Sequence, residues 1–268
     1  MSGIPEAPVY FVRPCFVTDF RATYADVAEA GITEVSIAAQ MGDVSFIADD
    51  QADAARRFLD DLGLSTPACH GLHSSHLDLN TPDVGLWKDM IEQHRQFLPS
   101  AARMSCKTYV CHPGPRRKGV SAEASWDQVR RTLDELAPLA EELGVKIALE
   151  NANPKNLGDD SGELTAFVAG YGSDAVGLCF DVGHANTAED PVTALNAMAP
   201  LVITVHLHDN DTTGDQHLIP GRGCIDWADL VPRLAKCPRL IHIETEAFNT
   251  EGWTHRDLYQ RYREILAG

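Results

Sequence analysis

The amino-acid sequence predicts an α/β fold, a (β/α)8 TIM barrel, on three observations. Short apolar runs alternate with longer amphipathic stretches along all 268 residues. These make eight β-then-α units, with no Pro/Ser-rich linker or break in composition between them. Several predicted strands end in an acidic residue or a histidine, which is where barrel enzymes carry their chemistry. We expect one domain over residues 1–268. An open doubly wound sheet is the alternative, but the sequence has no G-x-G-x-x-G or Walker A loop to support it.

Turn and capping residues agree with this division of the chain. Thr-Pro at 81–82 and Asp-Pro at 190–191 have the pattern of an N-cap followed by proline, while Gly31, Gly63 and Gly144 follow predicted helix ends. The predicted strands are Val9–Val12, Glu34–Ala38, Ser65–His73, Lys107–His112, Val145–Glu150, Val176–Asp181, Leu201–His208 and Leu240–Thr245. The predicted helices are Thr23–Ala30, Asp49–Leu62, Pro82–Met104, Ala122–Leu143, Gly162–Tyr171, Pro191–Met198, Trp227–Ala235 and Thr254–Leu266.

Composition narrows the classes of partner. The formal net charge of −17 disfavours nucleic acid, because binding to a phosphate backbone depends on Lys and Arg contacts. A small-molecule substrate is the expected partner. The sequence has no run near the ~20 apolar residues of a membrane span and no signal-peptide pattern at its start. Seven scattered cysteines without a C-x-x-C pair are typical of free thiols, so we expect a cytoplasmic protein.

Five predicted strands carry an acid or an imidazole near their C-terminal ends. These residues are His112, Glu150, Asp181, His206 and Glu244. In each strand the residue two positions earlier is small or polar and shares the same face, while larger apolar residues take the opposite face. We therefore expect the five side chains to line the barrel and to meet at its mouth.

A cluster of this composition favours a metal ion. One glutamate at a strand end is more often a salt-bridging or capping residue than a ligand. Three carboxylates brought together repel one another, however, and a divalent cation compensates that charge. Histidine and carboxylate ligands suit Zn, Mn, Fe or Co better than Mg or Ca. The sequence thus predicts a divalent-metal site at the barrel mouth.

The chain resembles the xylose-isomerase-like barrel superfamily, which includes endonuclease IV and many sugar isomerases and epimerases. The resemblance covers nearly the whole chain and depends on an ordered set of short motifs. They are H-S-S-H-L-D-L-N from His73, C-H-P-G around His112, A-L-E-N around Glu150, F-D-V-G-H ending at His184, H-L-H-D-N from His206, D-Q-H-L-I-P-G-R-G from Asp215, and I-E-T at Glu244.

The resemblance to the epimerase and isomerase branch implies one metal ion held by Glu150, Asp181, His206 and Glu244. In that branch the two glutamates also move protons on either side of a substrate carbon, so Glu150 and Glu244 are the candidate catalytic residues.

The resemblance to endonuclease IV implies up to three zinc ions and five further ligands. The matching positions are His73, His112, His184, Asp215 and His217. The first two would share an ion with Glu150, and the other three would hold a third ion. His70 is a substitute for His73 that aligns less well. We therefore expect one to three Zn or Mn ions.

Two departures bear on the reaction. His76 stands where endonuclease IV-like proteins usually have Tyr, and D-N-D-T-T-G from Asp209 replaces a longer basic, serine-rich segment. We therefore predict an isomerase or epimerase that acts on a small sugar, sugar phosphate or polyol-derived ketone by proton transfer at carbon. The alternative is an endonuclease IV-like zinc phosphodiesterase for abasic DNA, or a related metal-dependent hydrolase or lyase. A closed metal-binding module without activity is a third reading.

A few residues receive further roles. His208 shares the inner face with His206 and is expected to orient a ligand or contact substrate, and Arg222 in P-G-R-G is a candidate anion anchor. His94 is expected to be a solvated helix residue. The resemblance also makes a homo-oligomer possible, since dimers and tetramers occur in the superfamily.

Overall fold

The structure, a computed structural model, describes residues 5, 7–72, 77–248 and 250–268. Eight parallel strands form one sheet in the order β1-β2-β5-β6-β7-β8-β9-β10. They are β1 (Tyr10–Phe11), β2 (Glu34–Ala38), β5 (Ser65–His70), β6 (Thr108–Cys111), β7 (Lys146–Glu150), β8 (Val176–Asp181), β9 (Val202–Leu207) and β10 (His242–Thr245). A small antiparallel pair, β3 (Gln40–Met41) and β4 (Val44–Ser45), follows β2.

The first and last strands close the sheet into a barrel. Val9 N donates to Ile243 O at 2.8 Å, and Thr245 N donates to Val9 O at 2.9 Å. The helices are α1 (Phe20–Glu29), α2 (Asp49–Asp61), α3 (Val84–Arg103), α4 (Ala122–Leu143), α5 (Ser161–Tyr171), α6 (Val182–Ala188), α7 (Pro191–Met198), α8 (Trp227–Leu234) and α9 (His255–Ala267). Eight parallel strands with helices between them confirm the predicted (β/α)8 TIM barrel.

Helix starts follow the expected capping chemistry, with one difference. Asp190 accepts a hydrogen bond from Thr193 N at the start of α7, with proline next in the chain, as the sequence predicts. At α3, however, the N-cap is Asp83 rather than Thr81, because its carboxylate accepts from Leu86 N. The Thr-Pro pair therefore lies just before the helix that it was expected to begin.

Two elements were not predicted. The β3–β4 pair is too short to produce a periodic pattern, and α6 has only seven residues. This short helix begins directly after β8, because the Asp181 carboxylate accepts from His184 N and caps it. One residue thus both ends a barrel strand and starts the following helix.

Strand alternation sorts the side chains between the barrel interior and the helices, with one exception. Val110, Ala148, Cys179 and Ile203 form a buried cluster inside the barrel, separate from the larger core. Alternation places Ile203 on the opposite face from His206. A register shift between β8 and β9 at this point instead lets Ile203 fill the space beside Gly177, where an added Cβ would come within 2.7 Å of it.

Two further expectations concern the chain as a whole. All seven cysteines are free thiols, as the scattered spacing predicts. Among the helices of the described ranges, none is long and apolar enough to cross a membrane.

Candidate metal centre

Glu150, the last residue of β7, lies at the centre of a group of imidazoles. Its Oε2 is 3.1 Å from His112 Nε2 and 3.9 Å from His70 Nε2, and its Oε1 is 3.2 Å from His184 Nδ1 and 3.4 Å from His206 Nδ1. Burial by itself raises the pKa of this carboxyl. The surrounding imidazoles, His206 and His112 foremost, outweigh that effect and hold the pKa well below its usual range.

Three carboxylates converge on one nitrogen of His206. Oxygens of Glu150, Asp181 and Glu246 lie 3.4, 3.8 and 3.4 Å from Nδ1. This nitrogen is buried and has no hydrogen-bond partner among the described residues. Uncompensated, such a cluster is costly, because like charges repel and a buried polar atom lacks a bond. A divalent cation bound among these four residues would satisfy the nitrogen and neutralise the carboxylates, so the residues fit a metal ion.

Glu244 is outside this group, which differs from the role that the resemblance assigns to it. Its Oε1 lies 3.7 Å from His206 Nε2, 3.2 Å from His242 Nε2 and 3.2 Å from Thr204 Oγ1. It therefore contacts the nitrogen of His206 that faces away from the three carboxylates. Glu246, two residues later on the same face, occupies the position expected of Glu244.

Asp181 is held by a histidine that the sequence expected to orient a ligand. His208 Nε2 donates to both carboxylate oxygens of Asp181, at 3.0 and 3.2 Å, and the His208 side chain is fully buried. The ring fits because residue 183 is glycine: a Cβ there would come within 1.9 Å of His208. Asn151 fixes the backbone of the same strand end, since Asp181 N donates to its Oδ1 at 2.7 Å.

A second group lies beside the first and contains His184, Asp215 and His217. His184 Nδ1 donates to Asn151 O at 2.9 Å, and His217 Nδ1 donates to Glu246 O at 2.7 Å. A carbonyl only accepts, so each Nδ1 carries the proton and each Nε2 faces Asp215 Oδ2, at 3.4 and 3.1 Å. Lone pairs of neutral imidazoles would then point at a carboxylate. A proton or a metal cation has to lie between them.

Titration of the second group agrees with that geometry. Burial lowers the pKa of His217, but its hydrogen bond to Asp215 and the charges of Glu246 and Asp215 raise it overall to about 9. Burial likewise opposes ionisation of Asp215, yet His184 and His217 hold its pKa well below the usual range. The second group therefore stabilises a positive charge at its histidine nitrogens, and the same electrostatic condition favours a bound cation.

The loop that carries Asp215 and His217 is tied to the barrel by one buried carboxylate. Asp209 Oδ2 accepts from Gly221 N at 2.8 Å and from Trp227 Nε1 at 2.9 Å, and its Oδ1 accepts from Asn210 N at 2.9 Å. His217 itself has a positive φ of 45°, which is strained for a residue with a side chain. Its hydrogen bonds hold it in that conformation.

A third possible group consists of His70, His112 and Glu150. His70 Nδ1 donates to Gly71 O at 3.1 Å, so its Nε2 faces Glu150. The sequence ranked His73 above His70 for this role, but His73 lies outside the described residues. Groups of His, Asp and Glu that could hold a metal ion therefore lie on both sides of Glu150, which is a member of two of the three.

These groups border a cavity of about 410 Å³ at the barrel mouth. Phe11 and Phe248 form aromatic parts of its wall, and Arg13 and Cys15 lie at the same rim. The remaining lining residues are Pro14, Ala38, His70, His112, Glu150, His184, Asp215, His217 and Glu246. Glu246 lines this cavity and Glu244 does not. Of these two glutamates, Glu246 is therefore the one that a molecule in the cavity would contact.

Of two other expectations, one is corrected and one stays a prediction. Arg222 remains a candidate anion anchor; it does not line this cavity, and its guanidinium lies 5.4 Å from the ring centre of Trp253. His94 is fully buried rather than solvated, and its Nδ1 accepts from the hydroxyl of Tyr109 at 2.7 Å. Neither contact leaves a trace in the local sequence, because each joins residues of different barrel units.

Sequence reasoning did not single out Glu246. The signal was available: Glu246 shares the inward face of Glu244 by strand alternation, one residue beyond the end of β10. The motif I-E-T instead indicated Glu244.

Fold and site together define the class: a (β/α)8 barrel with carboxylates and imidazoles gathered at the C-terminal ends of its strands. The chain belongs to the xylose isomerase-like TIM barrel family, whose profile it matches over residues 24–265. This confirms the resemblance noted from the motifs.

Relatives with similar sequences span most of the chain. A protein of Methanocaldococcus jannaschii is 29% identical over 206 residues, which cover 73% of this chain and 70% of the relative. The D-psicose 3-epimerase of Ruminiclostridium cellulolyticum is 24% identical over 257 residues, covering 93% of this chain and 85% of the epimerase.

Solved structures share the fold. A D-tagatose 3-epimerase-like protein superposes with a TM-score of 0.82 at 23% identity, covering 97% of this chain and 98% of its own. The IolI protein, solved with a bound zinc atom, superposes with a TM-score of 0.81 at 17% identity, covering 96% of both chains.

Proposed function

We propose that this protein is a divalent-metal-dependent isomerase or epimerase that moves a proton at a carbon of a small sugar, sugar phosphate or polyol-derived ketone. The observation that carries the proposal is the convergence of Glu150, Asp181 and Glu246 on His206 Nδ1, with Glu150 and Glu246 also lining a cavity of about 410 Å³. A cavity of this size suits a small ligand.

Glu150, Asp181, His206 and Glu246 would hold the ion. When bound, a divalent ion polarises a carbonyl or hydroxyl of the substrate and stabilises negative charge that develops there. This proposed set has Glu246 where the resemblance implies Glu244. Glu244 would act on the site through His206.

The proton transfer itself would be carried out by carboxylates. One carboxylate takes the proton from the carbon next to the carbonyl and becomes a carboxylic acid, while the electron pair of the broken C–H bond moves toward the carbonyl oxygen. The acid then returns a proton to the same carbon or the neighbouring one. Glu150 and Glu246 are the candidates, since both line the cavity. Epimerisation requires the other glutamate to give a proton to the same carbon from the opposite face, and transfer to the adjacent carbon gives isomerisation.

Two properties of the relatives support this choice. One sequence relative that spans most of the chain is a D-psicose 3-epimerase, and one structural neighbour is a D-tagatose 3-epimerase-like protein. The zinc atom of the IolI structure supports a metal in the same kind of barrel. Zinc and manganese both remain candidates for this chain.

One observation favours a second candidate, a multinuclear phosphodiesterase. His184, His208, Asp215 and His217 offer ligand atoms within 4.8 Å of one another, beside the first group. If these residues and the first group held two or three ions, the ions would supply a hydroxide nucleophile for ester hydrolysis. The net charge of −17 opposes a nucleic-acid substrate, and for this reason we rank proton transfer first.

The test is exchange of substrate hydrogen with solvent. A panel of ketoses, aldoses, their phosphates and inosose-like ketones is incubated in deuterated water with protein loaded with Zn or Mn, and followed by NMR. Deuterium should enter at the carbon next to the carbonyl with wild-type protein and not with Glu246→Gln. Glu264→Gln, on the exposed side of α9, is the matched control and should behave as wild type. Hydrolysis of an ester without exchange on any panel member contradicts the proposal.

A further inference from the structure

We propose that Arg13 is an anion-binding residue of the cavity, so that the preferred substrate carries a phosphate or carboxylate. The inference rests on the proposed function and specifies its substrate class.

Arg13 is the one Lys or Arg among the described residues that line the cavity. Its side chain is exposed, and within the described ranges no carboxylate lies within 4.0 Å of its guanidinium. Several other exposed arginines, Arg21 and Arg57 among them, also have no carboxylate at this distance within the described ranges, so what distinguishes Arg13 is its position. It brings a cation to a cavity in a chain whose 39 acidic residues outnumber 22 Lys and Arg.

Other arginines near the barrel mouth are already engaged. Arg116 NH2 lies 2.8 Å from Asp159 Oδ1 and 2.5 Å from Glu163 Oε2, so its charge is compensated. Arg222 lies against Trp253 and does not line this cavity. Among the described residues, Arg13 thus brings a positive charge without an acidic partner to the lining of this cavity, and it also lines a second cavity of about 350 Å³ that shares Phe11 and Phe248.

A row of stacked rings positions Arg13 relative to the metal residues. Its guanidinium carbon lies 4.9 Å from the ring centre of Phe248, Phe248 stacks on His217 at 4.5 Å, and His217 stacks on His208 at 3.9 Å. One aromatic ring therefore separates the cation from a histidine of the second group. The face of Phe248 takes only the π surface of the guanidinium, so its N–H donors remain available.

The backbone before Arg13 is fixed to the barrel. Phe11 N donates to the Thr245 side chain at 3.0 Å, and Arg13 follows β1 by two residues. A guanidinium held in this way can bind a phosphate or carboxylate with two parallel hydrogen bonds. A substrate with its carbonyl at the metal residues and an anionic group at Arg13 would engage both. A neutral sugar would leave Arg13 unpaired.

Direct binding tests the proposal without turnover. Glucitol, glucitol 6-phosphate and gluconate have no carbonyl to react, and differ in the group at one end of the same carbon chain. Calorimetry with zinc- or manganese-loaded protein should show at least one of the two anions binding about tenfold or more tighter than glucitol. The tighter of the two tells whether phosphate or carboxylate is the preferred group.

Arg13→Gln should abolish that difference while leaving glucitol binding unchanged, and Arg13→Lys should keep part of it because the charge remains. Arg222→Gln, an exposed arginine that also lies against an aromatic ring, is the matched control and should retain the full difference. The unfolding curves of all three variants should match wild type, since Arg13 and Arg222 are exposed.

Equal binding of the three compounds to wild-type protein overturns the proposal. So does an anion preference that survives Arg13→Gln, which would mean that the anion contacts the metal instead. Failure of the deuterium-exchange panel, by contrast, would count against proton transfer and leave the anion site standing.

Discussion

Glu244 Oε1 lies 3.7 Å from Nε2 of His206, on the opposite side of the ring from the nitrogen that faces Glu150, Asp181 and Glu246. A neutral imidazole that donates an N–H hydrogen bond to a carboxylate through one nitrogen has a lone pair on the other nitrogen. Glu244 therefore favours the form of His206 that has its proton on Nε2 and its Nδ1 free for a cation. A buried glutamate one layer below the site would thus determine what the site can bind.

The first prediction separates the two glutamates of this segment. Glu246→Gln should weaken metal binding by more than about 100-fold, because it removes a carboxylate from the group around His206 Nδ1. Glu244→Gln should weaken it by about 10- to 100-fold, the range for residues that support a ligand. Competition with a zinc-binding dye measures both affinities. If Glu244→Gln loses as much as Glu246→Gln or more, the assignment made from the motif is restored.

The second prediction concerns a second ion. Asp215→Asn should lower the number of bound ions by one and leave the ion of the first group in place, because Asp215 belongs only to the group with His184 and His217. Elemental analysis of wild type and variant, combined with anomalous diffraction, counts and locates the ions. Density for a single ion in wild-type protein after reconstitution with excess zinc or manganese would leave those three residues with a role other than metal binding.

The third prediction is a pH dependence of stability. Burial lowers the pKa of His94 to about 4, from 6.5, which the hydrogen bond to Leu77 O offsets only in part. The folded state therefore holds His94 neutral, and between these values the unfolded chain binds more protons. The stability that the folded state gains by keeping His94 neutral is fully present above pH 6.5, and it is lost as the pH falls toward 4. The loss should reach on the order of 2–3 kcal/mol.

Urea unfolding at several pH values tests this pH dependence by comparing the stability of wild type with that of His94→Gln. His94→Gln keeps an acceptor for the Tyr109 hydroxyl but has no titratable group, so its stability should fall less steeply below pH 6.5 than that of wild type. Carboxylates elsewhere titrate equally in both proteins and cancel. Parallel curves for the two proteins would mean that His94 is protonated in the folded state.

The fourth prediction is that duplex DNA is not a substrate. The net charge of −17 repels a phosphate backbone, and Arg13 is the one Lys or Arg among the described lining residues of the cavity. An abasic-site oligonucleotide at low salt is the most sensitive assay, since screening is weakest there and any basic patch acts most strongly. Metal-dependent nicking at the rate of a dedicated repair enzyme would reverse the ranking of the two candidate functions.

Strand-end chemistry could be predicted from the sequence because it depends on local rules. Alternation along β7, β8 and β9 assigns Glu150, Asp181 and His206 to one face, and parallel strands bring their C-terminal ends together. The structure gathers these three residues as expected. The barrel itself follows from the same periodic pattern, and most predicted elements differ from the observed ones by no more than a few residues at each end.

What the sequence did not predict depends on contacts between distant units. Whether Glu244 or Glu246 faces the cavity is decided by how far β10 extends beyond His206, which alternation does not specify because both glutamates lie on one face. His94 is buried and hydrogen-bonded to Tyr109, and Arg222 lies against Trp253. No periodic pattern within one element reports such pairings. The Ile203 exception has a similar origin, since a bulge changes the face only once two strands are paired.

Asp209 anchors the loop after β9 at its base, so that the tip of the loop could change independently. Its carboxylate fixes residues on both sides of the loop, and Asp209 and Leu218 exchange two backbone hydrogen bonds of 2.8 Å that close the loop at its base. Asp211, Thr212 and Thr213 at the tip are exposed. Evolution could lengthen or recharge that tip without moving Asp215 or His217. In a barrel of this design, changes at the loop tips could therefore alter which substrate binds, while the residues at the strand ends keep their positions.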